Sequence, residues 1–167
     1  GSIPRQYIPS VEAGIRAAAS CGVLASYPVI NVRISILDGK FHEVDSSEAA
    51  VERAASIAFK TAGEKAKLHL LEPIMSLEIE TPEEYLGTII KDLNSRRATI
   101  KNMDQRGSLH ILAAEAPVSE LFGYATVSRS MSQGRATYTM RPLKFQQAPR
   151  NMVEKTLGWL PAHLANG

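Results

Sequence analysis

The sequence predicts an α+β fold in two parts, an incomplete α/β segment over residues 1–71 and an antiparallel sheet with helices over residues 72–147. Three observations support this prediction. One alternating strand lies between two helical segments in the first part, six helix and strand patterns follow in the second, and an amphipathic helix with a tail occupies residues 148–167. The 167 residues are 44% apolar and 22% charged, which is typical of a globular protein and excludes a disordered or fibrous chain.

The first part contains two predicted helices and one predicted strand. Ser10 is the expected cap of the first helix, and Gly22 is its expected end. Asp45 and Glu48 form a capping box for an alanine-rich helix that reaches residue 66. Between the helices, four apolar residues alternate with polar ones and predict a strand with one buried face: Ile30, Val32, Ile34 and Ile36.

A single strand leaves the first part without a sheet, because its backbone N–H and C=O groups need a second strand as partner. We therefore expect residues 1–71 to be the latter part of a domain whose other strands precede Gly1. A short polar loop joins the strand to the second helix, and we expect it to project into solvent. Two interpretations of this region stay open. Either His42 and Asp45 form an acid–base pair, or Asp45 is only the helix cap and His42 points into water.

The second part has six predicted elements in the order β-α-β-β-α-β. Thr81 and Pro82 predict the start of its first helix, and Gly107 predicts a tight hairpin turn. The elements are a strand over 74–81, a helix with apolar residues from 86 to 93, strands over 98–104 and 108–115, a helix over 119–132 and a strand over 136–143. This order is typical of the ferredoxin-like split-βαβ fold, in which both helices cover one face of an antiparallel sheet.

The sequence contains no pattern typical of a membrane, metal or catalytic site. No run of about 18 apolar residues is present to span a bilayer, and the first residues lack the pattern of a secretory signal. Cys21 is the only cysteine, so we expect no disulfide, a buried thiol and a reducing compartment. The four histidines have no metal-ligand spacing and no phosphate-binding motif occurs, so we expect no metal, no cofactor and no catalytic residue.

A basic excess in the second part suggests a surface for a polyanion. Residues 93–144 contain eight Lys and Arg residues against three Asp and Glu residues. The candidates for phosphate contact are two arginines that follow a predicted helix and a polar group at a second helix end: Arg96, Arg97, Arg129, Ser130, Gln133 and Arg135. Alternatively, these charges only solvate the faces of strands and helices, or complement a helix dipole.

Seven sequence runs, in order along residues 4–153, resemble the C-terminal part of translation elongation factor G: YIPSVEAGI, YPVINV, HEVDSSE, LLEPIMSLEIETPEEYLGTII, DLNSRR, FGYAT and SQGRATYTM. The resemblance implies that residues 1–71 are the latter part of domain IV, with a fold similar to the α/β fold of ribosomal protein S5. It also implies that residues 72–147 are the ferredoxin-like domain V. The helix and tail over residues 148–167 would pack back on domain IV.

By this resemblance the chain is the ribosome-binding region of a translational GTPase that promotes tRNA–mRNA translocation. It would have no enzymatic activity of its own, because the GTP and magnesium site lies in a missing N-terminal part. A tip loop would enter the small-subunit decoding centre beside tRNA and mRNA: Gly39, Lys40, Phe41 and His42. The six polar residues named above would bind large-subunit ribosomal RNA. We expect a monomeric fragment of a cytoplasmic bacterial protein, with the mitochondrial matrix as the alternative, and no membrane partner.

Three alternatives stay open at this point. Phe41, Thr99 and Met131 depart from the residues common in the family, as does Ala98, so a ribosome-recycling or specialised paralogue is one alternative. From a different class, a ferredoxin-like unit can be a small-molecule-binding regulatory domain. The third alternative is a small hydrolase that uses His42 and Asp45. A deep apolar pocket with convergent polar groups would favour the last two.

Overall fold

A computed structural model of the protein describes residues 3–42, 44 and 46–165. The chain divides into two compact units. Unit 1 comprises Gly1–Leu70 and Pro149–Gly167, and unit 2 comprises Leu71–Ala148. The predicted mixed α/β fold is confirmed, because unit 2 contains a four-stranded sheet and both units contain helices. Among the described residues, no helix combines the length and the apolar character that crossing a membrane requires.

The described part of the chain contains six α-helices and four strands. In chain order they are α1 (Ile8–Cys21), α2 (Glu48–Lys65), β1 (Leu71–Pro82), α3 (Glu83–Ser95), β2 (Thr99–Arg106), β3 (Leu109–Pro117), α4 (Tyr124–Met131), β4 (Thr137–Gln147), α5 (Arg150–Leu157) and α6 (Ala162–Ala165). Short 3-10 turns precede α1 at Arg5–Tyr7 and follow β3 at Val118–Glu120.

Helices α1 and α2 of unit 1 pack with their backbones in close approach. A Cβ atom added to Gly14 of α1 would lie 2.1 Å from the carbonyl oxygen of Glu52 of α2. Val11 and Ala18 of α1 and Ala55 of α2 are buried. Small residues at this crossing therefore allow a helix–helix distance that larger side chains would prevent.

Helix α1 begins earlier than the sequence predicts. It starts at Ile8 with Pro9 in its first turn, so Ser10 lies inside the helix and its predicted role as the cap is wrong. Proline suits this position because its fixed φ is helical and its missing N–H would have no helical partner. The predicted end is confirmed, since Gly22 has a φ of 78° and donates its N–H to the carbonyl of Ala18 at 3.0 Å.

Helix α2 is capped by Ser47, whose hydroxyl oxygen accepts a hydrogen bond from the N–H of Ala50 at 3.1 Å. The predicted capping by Asp45 is therefore wrong in its position, and Asp45 itself lies outside the described residues. The helix starts at Glu48 because Ser47 is the last residue with an extended backbone, with φ −117° and ψ 164°.

The predicted strand over residues 30–36 is wrong: this segment, all of which the structure describes, belongs to no sheet. Its four alternating apolar residues are half-exposed: Ile30 is 42%, Val32 44%, Ile34 45% and Ile36 46% exposed. Asn31 has a φ of 57°, which interrupts the extended backbone. The alternation is present, but no described strand of unit 1 pairs with it.

Unit 2 has the predicted ferredoxin-like topology. Its strands lie in the order β2-β3-β1-β4, with every neighbouring pair antiparallel. Its core combines residues of the strands, both helices and the intervening loop: Leu77, Ile79, Ile89, Leu93, Leu112, Ala114, Ala116, Leu121 and Tyr124. The predicted stripe of α3 is confirmed, since Ile89 and Leu93 are fully buried. The predicted glycine turn is also confirmed, because Gly107 has a φ of 65°.

The helix starts in unit 2 differ from prediction in two places. Thr81 is a buried strand residue and not a cap, because α3 begins at Glu83 with Pro82 as its N-cap. The predicted helix over residues 119–132 is divided into a 3-10 turn and α4. Gly123, with a φ of 72°, lies between them and acts as the N-cap of α4. A left-handed residue cannot continue a right-handed helix, so α4 starts only at Tyr124.

Candidate nucleic-acid interface

The loop over residues 39–42 of unit 1 is held by two hydrogen bonds between the backbone of His42 and Ser46. The N–H of His42 donates to the Ser46 hydroxyl at 3.1 Å, and the His42 carbonyl accepts from the Ser46 N–H at 3.0 Å. At the other end, the N–H of Gly39 donates to the carboxylate of Asp38 at 2.8 Å. The side chain of His42 remains exposed. The loop therefore presents an imidazole from a locally ordered backbone.

Phe41 anchors the same loop through an aromatic contact with Tyr7. Its ring lies 5.1 Å from the ring of Tyr7, measured between centroids, and the Tyr7 hydroxyl donates to the Ser46 carbonyl at 3.4 Å. Phe41 is half-buried, whereas Lys40 and His42 are exposed. Of the four predicted tip residues, Lys40 and His42 therefore offer polar side chains to solvent. The predicted pairing of His42 with Asp45 falls on a residue outside the described part.

Arg96 has its charged groups bonded within unit 2. Its Nε donates to Asp92 at 2.8 Å, and its Nη1 donates to the carbonyl of Glu120 at 2.6 Å. The guanidinium also lies over the ring of Tyr124, 5.1 Å from the centroid. The Arg96 side chain is only 15% exposed. Because it donates to the Glu120 carbonyl, Arg96 holds the loop that contains Glu120. Its contact with RNA stays a prediction, which this geometry does not favour.

Arg97 is bound by two carboxylates. Its Nη1 and Nη2 donate to the two oxygens of Glu72, both at 2.9 Å, and its Nε donates to Glu120 at 3.1 Å. The hydrogen bonds with Glu72 are the main cause that raises the pKa of Arg97 above its usual value. All three guanidinium nitrogens thus have internal partners. Phosphate binding by Arg97 also stays a prediction with little geometric support.

The loop after α4 is organised around Ser132, which is fully buried. Its hydroxyl donates to the carbonyl of Ser128 at 2.7 Å and accepts from the N–H of Ala136 at 3.0 Å. Gln133 and Gly134 follow with φ values of 52° and 76°. These left-handed residues reverse the chain tightly after the helix, so that the hydrogen bonds of Ser132 join the end of α4 to the residue before β4.

Four polar residues are presented by α4 and this loop, and we call them the basic surface: Arg129, Ser130, Gln133 and Arg135. All four are exposed. Among the described residues, no carboxylate pairs with Arg129. The guanidinium of Arg135 pairs with Glu84 and lies 5.8 Å from the ring centroid of Tyr85. Because the Arg135 and Glu84 side chains are 57% and 55% exposed, this ion pair is weak and exchangeable.

The sequence reasoning missed the residues that hold the basic surface in place. Ser128 and Ser132 are buried serines at a spacing of four on α4 and its end, whereas serine is usually exposed. Tyr124, buried at the start of α4, was also missed, and burial is the main cause that raises the pKa of its hydroxyl. The helical spacing of 124, 128 and 132 was the available signal for a buried face.

The predicted burial of Cys21 is wrong, because the thiol is exposed at the last residue of α1. Ala18, one turn earlier, is buried, so the packing that covers α1 ends before Cys21. Within the described residues, no group of three or more His, Cys, Asp or Glu side chains is arranged to hold a metal ion.

Unit 1 also contains an apolar cavity of about 620 Å³. Its walls come from α1, α2 and the segment over residues 29–41, and they are mainly Val, Ile and Ala side chains. Arg33, Asp38 and Lys40 are the charged residues at its lining. One whole wall is the half-exposed segment that belongs to no sheet.

The chain is thus a two-unit α+β protein. One unit is ferredoxin-like and has an exposed basic surface, and the other has an exposed histidine in the loop over residues 39–42. The profile described as "Elongation factor G, domain IV" matches residues 1–67, and that described as "Elongation factor G C-terminus" matches residues 69–156. The chain therefore belongs to the elongation factor G family, as the resemblance predicts.

Curated relatives and a solved structure agree with this assignment. Proteins named Elongation factor G from Thermotoga maritima and Aquifex pyrophilus are 55% and 50% identical to this chain over 157 and 158 residues. These alignments cover 94% and 95% of this chain but 23% of each relative, so the chain spans less than a quarter of their length. A crystal structure of a protein from Thermus thermophilus is similar with a TM-score of 0.87 and 35% identity, covering 100% of this chain and 25% of that one.

Proposed function

We propose that this chain is the ribosome-binding region of a translational GTPase that promotes the movement of tRNA and mRNA during protein synthesis. Membership in the elongation factor G family supports this proposal. The single observation that carries it is the basic surface of unit 2, whose exposed cations and hydrogen-bond donors are held by the buried Ser132. GTP and magnesium would bind in the remainder of the longer protein, which acts in the bacterial cytoplasm.

The basic surface would bind large-subunit ribosomal RNA through its phosphates. Guanidinium groups grip phosphate oxygens with two parallel hydrogen bonds, and hydroxyl and amide side chains add further contacts. Arg129 has no carboxylate among the described residues to release before it binds. Arg135 would exchange Glu84 for a phosphate, at small cost because both side chains are exposed. Ser130 and Gln133 supply the neutral hydrogen bonds.

The loop over residues 39–42 would act separately, at the small-subunit decoding centre with tRNA and mRNA. An imidazole can stack on a base or exchange hydrogen bonds with RNA. The bonds from Ser46 and the contact of Phe41 with Tyr7 reduce the motion that binding would otherwise have to restrict. His42 would therefore make the functional contact, with Lys40 as a neighbouring cation.

Arg96 and Arg97 would act indirectly. Both bind Glu120, one at its carbonyl and one at its carboxylate, and Glu120 closes the 3-10 turn that precedes α4. They are positioning residues in this proposal, since they fix the start of the segment that carries the basic surface. Their exchange is expected to disturb binding through the shape of that segment and not through the number of phosphate contacts.

The apolar cavity of unit 1 is the observation that favours a small-molecule-binding function instead. It has the size of a ligand pocket. Polar groups that would orient a ligand are few, and the wall over residues 30–36 is held by no sheet. These two features make the cavity a weaker candidate than the basic surface.

The first experiment measures how salt affects binding of the intact protein to bacterial ribosomes. Binding through phosphates releases counterions, so the logarithm of the binding constant falls linearly with the logarithm of salt concentration. Arg129→Ala is expected to reduce that slope by about 1, because one phosphate contact is lost. Arg106→Ala, which changes an exposed arginine of β2 that is not one of the four residues of the basic surface, is the control and should leave the slope unchanged. Equal slopes for wild type and Arg129→Ala would contradict the proposed contact.

The second experiment separates the loop from GTP hydrolysis. In the intact protein, His42→Ala is expected to slow single-turnover translocation while ribosome-stimulated GTP hydrolysis stays near the wild-type rate. The reason is that alanine can neither stack nor hydrogen-bond, whereas the nucleotide site is elsewhere. His69→Ala, another exposed histidine of unit 1, is the control. A wild-type rate of translocation for His42→Ala would show that His42 is only a solvated loop residue.

A further inference from the structure

Phe122 is the most exposed aromatic side chain in the described part of unit 2. It is 80% exposed, although Leu121 and Tyr124 on either side of it are only 7% and 2% exposed. Burying a phenylalanine is favourable, so a chain that leaves one in solvent forgoes that gain. None of the contacts described above uses Phe122.

The backbone holds Phe122 in this exposed position. The N–H of Leu121 donates to the carbonyl of Val118 at 3.1 Å, and the N–H of Tyr124 donates to that of Leu121 at 3.1 Å. Arg96 fixes the preceding carbonyl, that of Glu120, at 2.6 Å. Gly123 has a φ of 72°. The ring is therefore presented by a tight turn with both of its ends attached to the core.

The surface next to Phe122 is shaped and charged for a polyanion. The exposed residues of α4 lie on one face of the helix: Ala125, Thr126, Arg129 and Ser130. Small side chains near Phe122 allow a backbone to approach closely, and the cation follows one turn later. The distance along α4 from its first residue to Arg129 is about 8 Å, from a rise of about 1.5 Å per residue. No acidic residue occurs over residues 121–135.

We propose that Phe122 stacks on an unpaired base of the RNA whose phosphates contact the basic surface. This inference rests on the proposed function and adds a base-binding element to it. Unpaired bases present a flat π face, and an aromatic ring presented to solvent by a fixed backbone matches that face without sequence preference. The charge of the adjacent surface favours RNA over an apolar protein pocket, because such a pocket would gain nothing from Arg129.

The experiment measures binding of the intact protein to purified bacterial large ribosomal subunits at several salt concentrations. Phe122→Ala is expected to weaken binding about tenfold or more without changing the salt slope, because no phosphate contact is lost. Phe122→Leu should weaken binding to the same extent, since leucine has no π face, and Phe122→Trp should retain the affinity. Each variant should keep the wild-type denaturation midpoint, because the side chain is exposed.

Three results would overturn the inference. Wild-type affinity for Phe122→Ala would show that the ring makes no contact with the RNA. If Arg129→Ala still reduced the salt slope in that case, the stacking would be overturned and the phosphate contact would stand. Retained affinity for Phe122→Leu would show that an apolar pocket, and not a base, accepts the side chain. Absence of any subunit binding by the wild type would overturn both this inference and the proposed function.

A spectroscopic test reports the stack directly. Trp159 is the only tryptophan, so Phe122→Trp in a Trp159→Phe background places one indole of this chain at the proposed contact. Stacking on a base is expected to quench its fluorescence when large subunits are added. Unchanged emission, or a blue shift with higher intensity as in an apolar pocket, would contradict base stacking.

Discussion

Segment 30–36 of unit 1 is apolar at every second residue, and strand β3 of unit 2 is buried at every second residue from 112 to 116, but only β3 belongs to a sheet. Leu112, Ala114 and Ala116 of β3 are at most 2% exposed, whereas Ile34 is 45% exposed. Strand β3 pairs with β1 on one side and β2 on the other. Alternating apolar residues therefore do not by themselves bury a segment, and the presence of partner strands decides whether it is buried.

The two units also differ in how their helices are packed. In unit 1, α1 and α2 are in contact through Gly14, and a cavity lies between them and segment 29–41. In unit 2, α3 and α4 close a core in which Ile89 and Leu93 are fully buried. Unit 2 thus closes a buried core within its own residues, whereas the segment over residues 30–36 of unit 1 stays half-exposed.

The largest expected difference between the units is in the cost of removing one apolar side chain. Leu112→Ala is expected to lower the free energy of unfolding by about 2–5 kcal/mol, because it leaves a cavity in a closed core. Ile34→Ala should cost less than about 1 kcal/mol, since the side chain already lies largely in solvent. Urea denaturation of both variants measures the two losses. Equal losses would show that segment 30–36 is packed as well as β3.

A matched pair of helical glycines gives the next largest difference. Gly14→Ala should destabilise unit 1 by about 1–3 kcal/mol, because its Cβ would overlap the α2 backbone and the helices would have to separate. Gly87→Ala in α3 should stabilise unit 2 by about 0.5–1 kcal/mol, because alanine restricts the unfolded chain and nothing lies within 4 Å of the new Cβ. Thermal denaturation of the two variants shows whether each substitution raises or lowers stability. Destabilisation by both would contradict the difference in packing.

Helix starts provide a smaller difference. Ser47→Ala should lower stability by about 1 kcal/mol, because the N–H of Ala50 loses its acceptor. Ser10→Ala should change it by less than about 0.5 kcal/mol, because Ser10 lies inside α1 and caps nothing. Circular dichroism during urea denaturation measures both. A larger loss for Ser10→Ala would restore the predicted cap.

The smallest expected effect concerns acid stability of the outer face of the unit 2 sheet. Lys144, 3.0 Å away, and Lys101 at 3.6 Å lower the pKa of Glu115 below its ordinary value of 4.5. The unfolded chain therefore binds this proton more readily, so the stabilisation is present above pH 4.5 and is lost as the pH falls through the lowered pKa. Glu115→Gln should flatten the dependence of unfolding on pH in that range. An unchanged profile would show that the lysines do not affect Glu115 in solution.

The fold of unit 2 could be predicted because each element has its own local signal and its partners lie in the same stretch of chain. The apolar run of β3, the apolar stripe of α3 and the turn at Gly107 all act over a few residues. The predicted ends of the helices and strands were less accurate than their order along the chain. The start of α4 depends on the left-handed backbone of Gly123, which the presence of a glycine suggests but does not determine.

The candidate site was predicted by residue type, and its internal pairing was not. Arg97 binds Glu72 and Glu120, which are 25 and 23 residues away in the sequence. A local sequence pattern carries no information about contacts between residues so far apart in the chain. The sequence therefore could not distinguish the paired Arg97 from Arg129. The same reason explains why the sequence did not reveal buried Ser132 as the residue that holds the basic surface.

Amide hydrogen exchange of the whole chain, followed residue by residue, is the most direct test of the difference between the two units. The amides of residues 111–115 in β3 should be strongly protected, because they lie between two partner strands. The amides of residues 30–36 should exchange without such protection, since the structure gives this segment no strand partner among the described residues. Protection of residues 30–36 comparable to that of β3 would contradict the conclusion that only unit 2 satisfies its strands within this chain.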